Sequence, residues 1–212
     1  MILGTIQRKY IDKGDLYIMN YRTKALTEEQ YFLIIQTIKE GFVTAYSKRV
    51  YPNERMAVCL ILQGNIGMRI SDIVNLKLSD IIKDGNRYRL NDIKEKKTGK
   101  PRSFTIPAEI YLFLQSYALN QGIKPNQRLF DITVRAVQKH LQVTCEYLGL
   151  QGISTHSFRK FFAVSIYNAN SFNVELVRTL LQHSSIAVTQ HYLSVQPEAV
   201  EKALANHIKL PA

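Results

Sequence analysis

Residues 155–192 read "THSFRKFFAVSIYNANSFNVELVRTLLQHSSIAVTQHY", and this stretch decides how the rest of the chain is to be read. It sets two histidines, an arginine and a tyrosine at spacings that suit one site. Thr155 is a helix-capping residue type ahead of an apolar-periodic run. His156 and Arg159, three apart, then fall on one face of the first turns, where both can grip one anion. His183 closes a second apolar helical run, "NVELVRTLLQH". Ser184 and Ser185 offer a cap for another short helix, which brings Tyr192 back beside that histidine. A tyrosine hydroxyl becomes a covalent nucleophile at neutral pH when cationic neighbours stabilise the charge developing on the group it attacks. Arg159, His156 and His183 are the candidates for that task.

The whole chain supports a partner that is a polyanion. Its 212 residues carry 28 Lys and Arg against 17 Asp and Glu, a formal charge of +11. Beside a phosphate-gripping constellation, that balance points to nucleic acid. The basic residues cluster around Arg22, in "KEKKTGKPR" from Lys94, and at Arg159 and Lys160. With 46% hydrophobic residues the chain can bury one good core, and one domain is expected. No apolar run reaches the roughly 18–20 residues of a membrane span. The opening "MILGTIQRKYIDKGD" has charge too early and too short an apolar stretch for a secretion signal, so a cytoplasmic location is expected. Cys59 and Cys145 lie far apart and read as reduced core residues. No His and Cys cluster has zinc spacing, so neither metal nor cofactor is expected.

Further along the chain, residues 1–24 show no convincing period and read as an arm or linker. Thr27 with Gln30 fits a capping box, with Leu26 stapled to Tyr31, and predicts an amphipathic helix to about Gly41. Asn53–Ile66 predicts a core helix that stops at a glycine. Arg69 follows between Gly67 and a predicted N-cap at Ser71, with Asp72 placed to orient it. From Asp80 the period becomes alternating, and "NRYRLNDIKEKKTGKPRSFTIP" predicts two strands joined by a Thr98–Gly99 turn. Helices are predicted over 108–120 and 133–148. His140 reads as a surface or packing histidine, and His191 as a packing or phosphate-contact residue. In the tail, Pro197 can open a helix whose Val200, Ala203, Leu204 and Ile208 form one apolar stripe.

The order and spacing of these elements resemble the catalytic end of the tyrosine recombinases, the phage integrase family. The family pattern is His-x-x-Arg, a helix ending in Leu-Gly-His, then Tyr; here "LLQHSS" puts Gln182 in place of the glycine. "GMRISDI" is similar to the family's Gly-Leu-Arg-x-Ser-Glu-Leu, with Met68 for Leu and Asp72 for Glu, and "ALTEEQ" resembles the start of the catalytic domain. The resemblance covers roughly residues 25–200. It implies a mainly α fold with a small antiparallel β-sheet, the catalytic domain occupying 25–212 with a tail helix from about 197. By the same likeness Arg69, Lys97, His156, Arg159, His183 and Tyr192 become catalytic and Asp72 supporting. "KTGK" puts Lys97 where the family carries its general-acid lysine, and Lys96, Lys100, Arg102 and Lys160 become contacts to DNA phosphates. The implied partners are double-stranded DNA and further copies of the chain, in a homotetramer linked by exchanged tails. The implied chemistry is strand transfer through a 3′-phosphotyrosyl bond, giving integration, inversion or resolution. Type IB topoisomerases share the chemistry but are usually larger. A silent DNA-binding regulator would show a broken residue set, and an unrelated basic RNA-binding protein would leave the order a coincidence.

Overall fold

In the computed structural model, residues 23–90 and 105–193 are described in full apart from the side chain of His191, and residues 93–94 and 101–102 as backbone. Thr27 opens helix α1 (Glu28–Glu40): its hydroxyl accepts from the Gln30 N–H at 3.2 Å, and its own N–H donates to the Gln30 side chain at 3.1 Å. Two of the first turn's donors are thereby satisfied reciprocally. Tyr31, Ile34, Ile35 and Ile38 recur at three- and four-residue intervals and are buried. Leu26 and Tyr31, the predicted staple pair, both belong to the main core.

A hairpin of two-residue strands, β1 (Phe42–Val43) and β2 (Arg49–Val50), follows α1. The sequence does not announce it, because strands this short show no period. Asn53 then caps α2 (Glu54–Ile66), its Oδ1 accepting from the Met56 N–H at 3.0 Å. Every residue from Met56 to Leu60 is buried, so α2 is central and its neighbours pack around it. A fully buried Leu or Ile contributes about 1.5–3 kcal/mol, which makes α2 the chief anchor of the core. α1 comes close enough that a Cβ on Gly64 would stand 2.7 Å from the Tyr31 ring.

Gly67 ends α2 in the left-handed region, φ 63° and ψ 16°. Only Met68 intervenes before Arg69, which occupies the cap of α3 (Ile70–Ile73). The Arg69 carbonyl accepts from the N–H groups of Asp72 at 2.9 Å and Ile73 at 3.1 Å. The helix thus starts ahead of Ser71, the predicted cap, because the left-handed turn is tight enough to begin it two residues earlier.

The β region differs from the single predicted hairpin. Strands β3 (Ile81–Asp84) and β4 (Arg87–Leu90) turn at Gly85, and β4 also pairs with β7 (Thr105–Ile106), all antiparallel. Between them β5 (Ile93–Lys94) pairs with β6 (Pro101–Arg102). The Thr98–Gly99 turn lies outside the described residues. Ile81, Leu90 and Ile106 point into the core, and Tyr88 stacks on Tyr111 of α4 (Ala108–Asn120) with ring centroids 4.0 Å apart.

Thr133 caps α5 (Val134–Tyr147), accepting from the Ala136 N–H at 3.1 Å. Three helices complete the described residues: α6 (Thr155–Ala169), α7 (Val174–Leu181) and α8 (Ile186–Tyr192). α6 packs across α2, while α7 and α8 close on a smaller core of Phe162, Ala163, Val177 and Leu181. The fold is therefore mainly α with small antiparallel sheets, as predicted. Cys59 and Cys145 are buried and unbridged, and burial pushes both thiols up to about 12. Among the described residues no helix is long and apolar enough to cross a membrane.

Candidate functional site

The site is built where three helix ends meet. Ser154, one residue before the predicted cap at Thr155, caps α6, and its N–H donates to Ser157 Oγ at 3.1 Å. His156 and Arg159 share a spacing but part in environment: His156 is exposed on the first turn, whereas Arg159 is only 1% exposed. The Arg159 guanidinium donates through Nη1 to the Gly67 carbonyl and through Nη2 to the Leu181 carbonyl at 3.0 Å. Gly67 follows the last residue of α2, and Leu181 is the last residue of α7. Carbonyls there lack intrahelical partners and carry the negative end of the helix dipole, so two helix termini together compensate one buried cation. Without such partners the desolvation would cost several kcal/mol.

His183 is placed by the end of α7. Asn173 caps that helix, accepting from the Leu176 N–H at 2.9 Å. At the other end Gln182 adopts φ 52° and ψ 44°. Its N–H donates to the Thr179 carbonyl at 3.1 Å, and the His183 N–H reaches back to the Arg178 carbonyl at 3.0 Å. This bond pair is the Schellman arrangement that glycine usually terminates, so glutamine keeps the glycine geometry at a strain of about 1 kcal/mol. Arg178 braces the turn by donating to the His183 carbonyl at 3.1 Å, and is itself held by Glu175 at 2.5 and 2.8 Å. The bond from Arg178 holds the Glu175 carboxyl below its usual range.

The His183 ring is buried, with Nδ1 at 3.0 Å from Thr189 Oγ1 and Nε2 at 3.4 Å from Arg159 Nη2. The tautomer of the ring decides which of its nitrogens donates, and the Thr189 hydroxyl beside Nδ1 also faces the Ser185 carbonyl at 3.4 Å. Thr189 is fully buried and had no part in the sequence expectation. Its signal was its place on α8, one turn after the cap Ser185 and three residues before Tyr192. Arg178, also missed, lies one turn before the end of α7.

Ser185 opens α8, its hydroxyl accepting from the Val188 N–H at 3.4 Å, and Tyr192 is that helix's last residue. The Tyr192 ring lies 4.8 Å from the His183 ring, 5.9 Å from Arg159 Cζ and 5.8 Å from Lys160 Nζ, measured to centroids. Arg69 is tied to the same place through the Gly67 turn and is half-buried. Asp72, only 4% exposed, accepts from the Ser71 hydroxyl at 3.3 Å. The structure thus brings Arg159, His183, Tyr192 and Lys160 together, with Arg69 two residues beyond the shared Gly67. Lys96, Lys97 and Lys100 lie outside the described residues, and so does the side chain of Arg102. A phenol among fixed cations suits attack on a phosphate ester, where charge develops on the non-bridging oxygens. Among the described residues no group of three His, Cys, Asp or Glu side chains could hold a metal ion.

Comparison with known proteins identifies the architecture. The model of the phage integrase family matches residues 24–199, and the chain belongs to that family. It is 30% identical over 146 residues to tyrosine recombinase XerC of Leptospira interrogans, covering 64% of this chain and 45% of that protein. To the probable integrase/recombinase YoeC of Bacillus subtilis it is 28% identical over 158 residues, covering 71% of this chain and 83% of that one. Among solved structures, the XerH site-specific recombinase bound to palindromic difH in a post-cleavage complex superposes with a TM-score of 0.66 at 21% identity, over 85% of this chain and 52% of that chain. A lambda integrase dimer bound to a COC′ core site gives a TM-score of 0.61 at 18% identity, over 82% and 48%. These likenesses show the fold, which is that of tyrosine recombinase catalytic domains. The chain spans about half the length of its XerC relative.

Proposed function

We propose that this chain is a site-specific DNA recombinase in which Tyr192 attacks a DNA phosphodiester. The observation that carries this reading is the placing of the Tyr192 ring against His183, Arg159 and Lys160. The Tyr192 oxygen forms a bond to phosphorus as the bond to the 5′ oxygen breaks, which leaves a 3′-phosphotyrosyl link and a 5′-hydroxyl. Arg69 and Arg159 hold the non-bridging oxygens, for which planar guanidinium groups suit phosphate better than ammonium does. His183 adds a further contact, and Asp72 supports Arg69. His156 accepts the tyrosine proton and Lys97 protonates the departing 5′ oxygen. A second strand's 5′-hydroxyl then reverses the step, so the stored bond is used without ATP.

Double-stranded DNA is the substrate, with Lys96, Lys100, Arg102 and Lys160 on its phosphates, and the reaction takes place in the cytoplasm. Residues 1–24 serve as an arm and 25–212 as the catalytic domain. Four copies pair two sites, each docking the stripe of Val200, Ala203, Leu204 and Ile208 on a neighbour. The XerH structure in a post-cleavage complex on its DNA supports the substrate class by analogy.

The test is to trap the protein on a nicked duplex and map the DNA-linked peptide. Tyr192 is the expected attachment point, and Tyr192→Phe is expected to bind the duplex and form no adduct. Attachment at Tyr167 or at any other residue overturns the assignment.

A further inference from the structure

Gln63 breaks the apolar run of α2 one turn before the helix ends, and it is only 1% exposed. A buried carboxamide needs acceptors at its nitrogen and donors at its oxygen. Gln63 is served at one end alone: Nε2 donates to the Met68 carbonyl at 3.3 Å, whereas Oε1 is buried and meets no donor among the described residues. Only the nitrogen end can face a carbonyl, so the contact with Met68 itself sets which way round the amide lies. An oxygen buried without a donor costs stability, and an apolar side chain of similar volume avoids that cost. The one bond that the Gln63 side chain makes is therefore what its place in the core has to explain.

That bond falls on the segment that delivers Arg69. The Gln63 carbonyl accepts from the Gly67 N–H at 3.0 Å, so backbone and side chain of one residue hold the left-handed turn from both sides. Each carbonyl along the way to α3 is then engaged. Gly67 accepts from Arg159 Nη1, Met68 from Gln63 Nε2, and Arg69 from the N–H groups of Asp72 and Ile73. We infer that Gln63 is a positioning residue for Arg69: it fixes the plane of the Met68–Arg69 peptide, and with it the direction in which the Arg69 side chain leaves the backbone. A planar peptide can rotate about its two flanking bonds while the chain on either side stays in place. Without the Gln63 bond, that rotation moves the Arg69 guanidinium relative to Arg159 and leaves α2 and α3 standing. The inference rests on the proposed function only in taking Arg69 as a hold on the phosphate.

The test compares wild-type protein with Gln63→Met, which keeps the length of the side chain and deletes both polar ends. Met68–Arg69 is the only Met–Arg pair in the sequence, so protein made with carbonyl-labelled methionine and amide-labelled arginine gives one carbonyl–amide cross-peak for this peptide. Its carbonyl resonance is expected to move in Gln63→Met, because the carbonyl has lost its donor. In single turnover on a nicked duplex at saturating DNA, adduct formation is expected to slow about tenfold to a hundredfold, the scale of a small misplacement of one catalytic group. The urea midpoint is expected to stay close to that of wild type, since one oxygen without a donor, Oε1, is exchanged for another, the Met68 carbonyl. A slowed rate with a kept midpoint is what a residue that only packs does not produce. An unmoved carbonyl resonance overturns the inference. So does an unchanged saturated rate, or a loss of rate that vanishes once the two proteins are compared at equal fractions folded. If Gln63→Met fails to fold, Gln63→Leu takes its place in the same three measurements, and failure of both to fold makes Gln63 a structural residue and overturns the inference too. Wild-type protein that forms no adduct, or forms it away from Tyr192, sinks the proposed function instead, and the carbonyl resonance still decides whether Gln63 holds the peptide.

Discussion

Gly67→Ala strikes the fold and the site at one position, and the structure allows its size to be worked out. An alanine there must hold φ 63°, a left-handed value that costs an L-residue about 1–2 kcal/mol. Its Cβ would also stand 2.3 Å from Phe162 Cδ1 and 2.6 Å from Cε1, so the ring must retreat by about an ångström or more. Overpacking of that kind costs about 1–3 kcal/mol. Alanine returns about 0.4–1 kcal/mol by restricting the unfolded chain, leaving a net loss of about 1–4.6 kcal/mol. In a protein of this length the melting midpoint should fall by about 2–18 °C. Gly149→Ala is the control: its φ is 68° but nothing lies within 4 Å of the added Cβ, so it carries the strain without the clash. Urea unfolding of both variants, read as the difference between them, isolates the Phe162 contact. Because the Gly67 carbonyl accepts from Arg159, Gly67→Ala should also slow adduct formation at temperatures where it remains folded. Equal destabilisation by the two substitutions would refute the packing of Phe162 on the α2 terminus.

Gln182→Gly relieves a left-handed glutamine and should stabilise the chain by up to about 0.5 kcal/mol after the entropy of glycine is counted, raising the thermal midpoint by up to about 2 °C in calorimetry. Thr189→Val deletes the hydroxyl beside His183 Nδ1; it should cost about 1–3 kcal/mol in urea unfolding and change the tautomer signature of His183 in nitrogen NMR, with Thr189→Ser restoring both. Burial holds His140 below the usual 6.5, so the unfolded chain takes up its proton first as pH falls. Stability should therefore decline from about pH 6.5 down to the folded value, and His140→Gln should flatten that part of a urea-midpoint profile.

Local signals carried much of the fold. The capping box of Thr27 and Gln30, the apolar run that became α2, and the caps Thr133 and Ser185 each state their structure within a few residues, because a cap bond and a helical period are short-range facts. The sheet was less legible. Asp84–Gly85 is a hairpin signal, yet the lysine-rich stretch around Thr98–Gly99 drew the strand boundary away from it, and the return of β7 to β4 is a non-local pairing. In the site, spacing alone indicated that Tyr192 returns to His183. It could not indicate that Arg159 would be buried while His156, three residues away, stayed exposed, since the acceptors that permit that burial belong to Gly67 and Leu181. Thr189 escaped for a related reason: a threonine inside a helix looks like a packing residue until the ring beside its hydroxyl is known.

The seat of Arg159 between two helix ends has a thermal consequence. One of its acceptors belongs to the large core, through α2, and the other to α7, whose support is the small cluster around Phe162 and Val177. Smaller cooperative units open at lower free energy than the domain as a whole. When α7 loosens, the guanidinium is left gripping a single terminus, and His183 and Tyr192 leave with the same segment. The centre then comes apart as one object while α1, α2 and the sheet stand intact. On heating, the site should loosen several degrees before the fold melts, so that, on the function proposed above, a warmed molecule passes through a state that still binds DNA and forms no adduct.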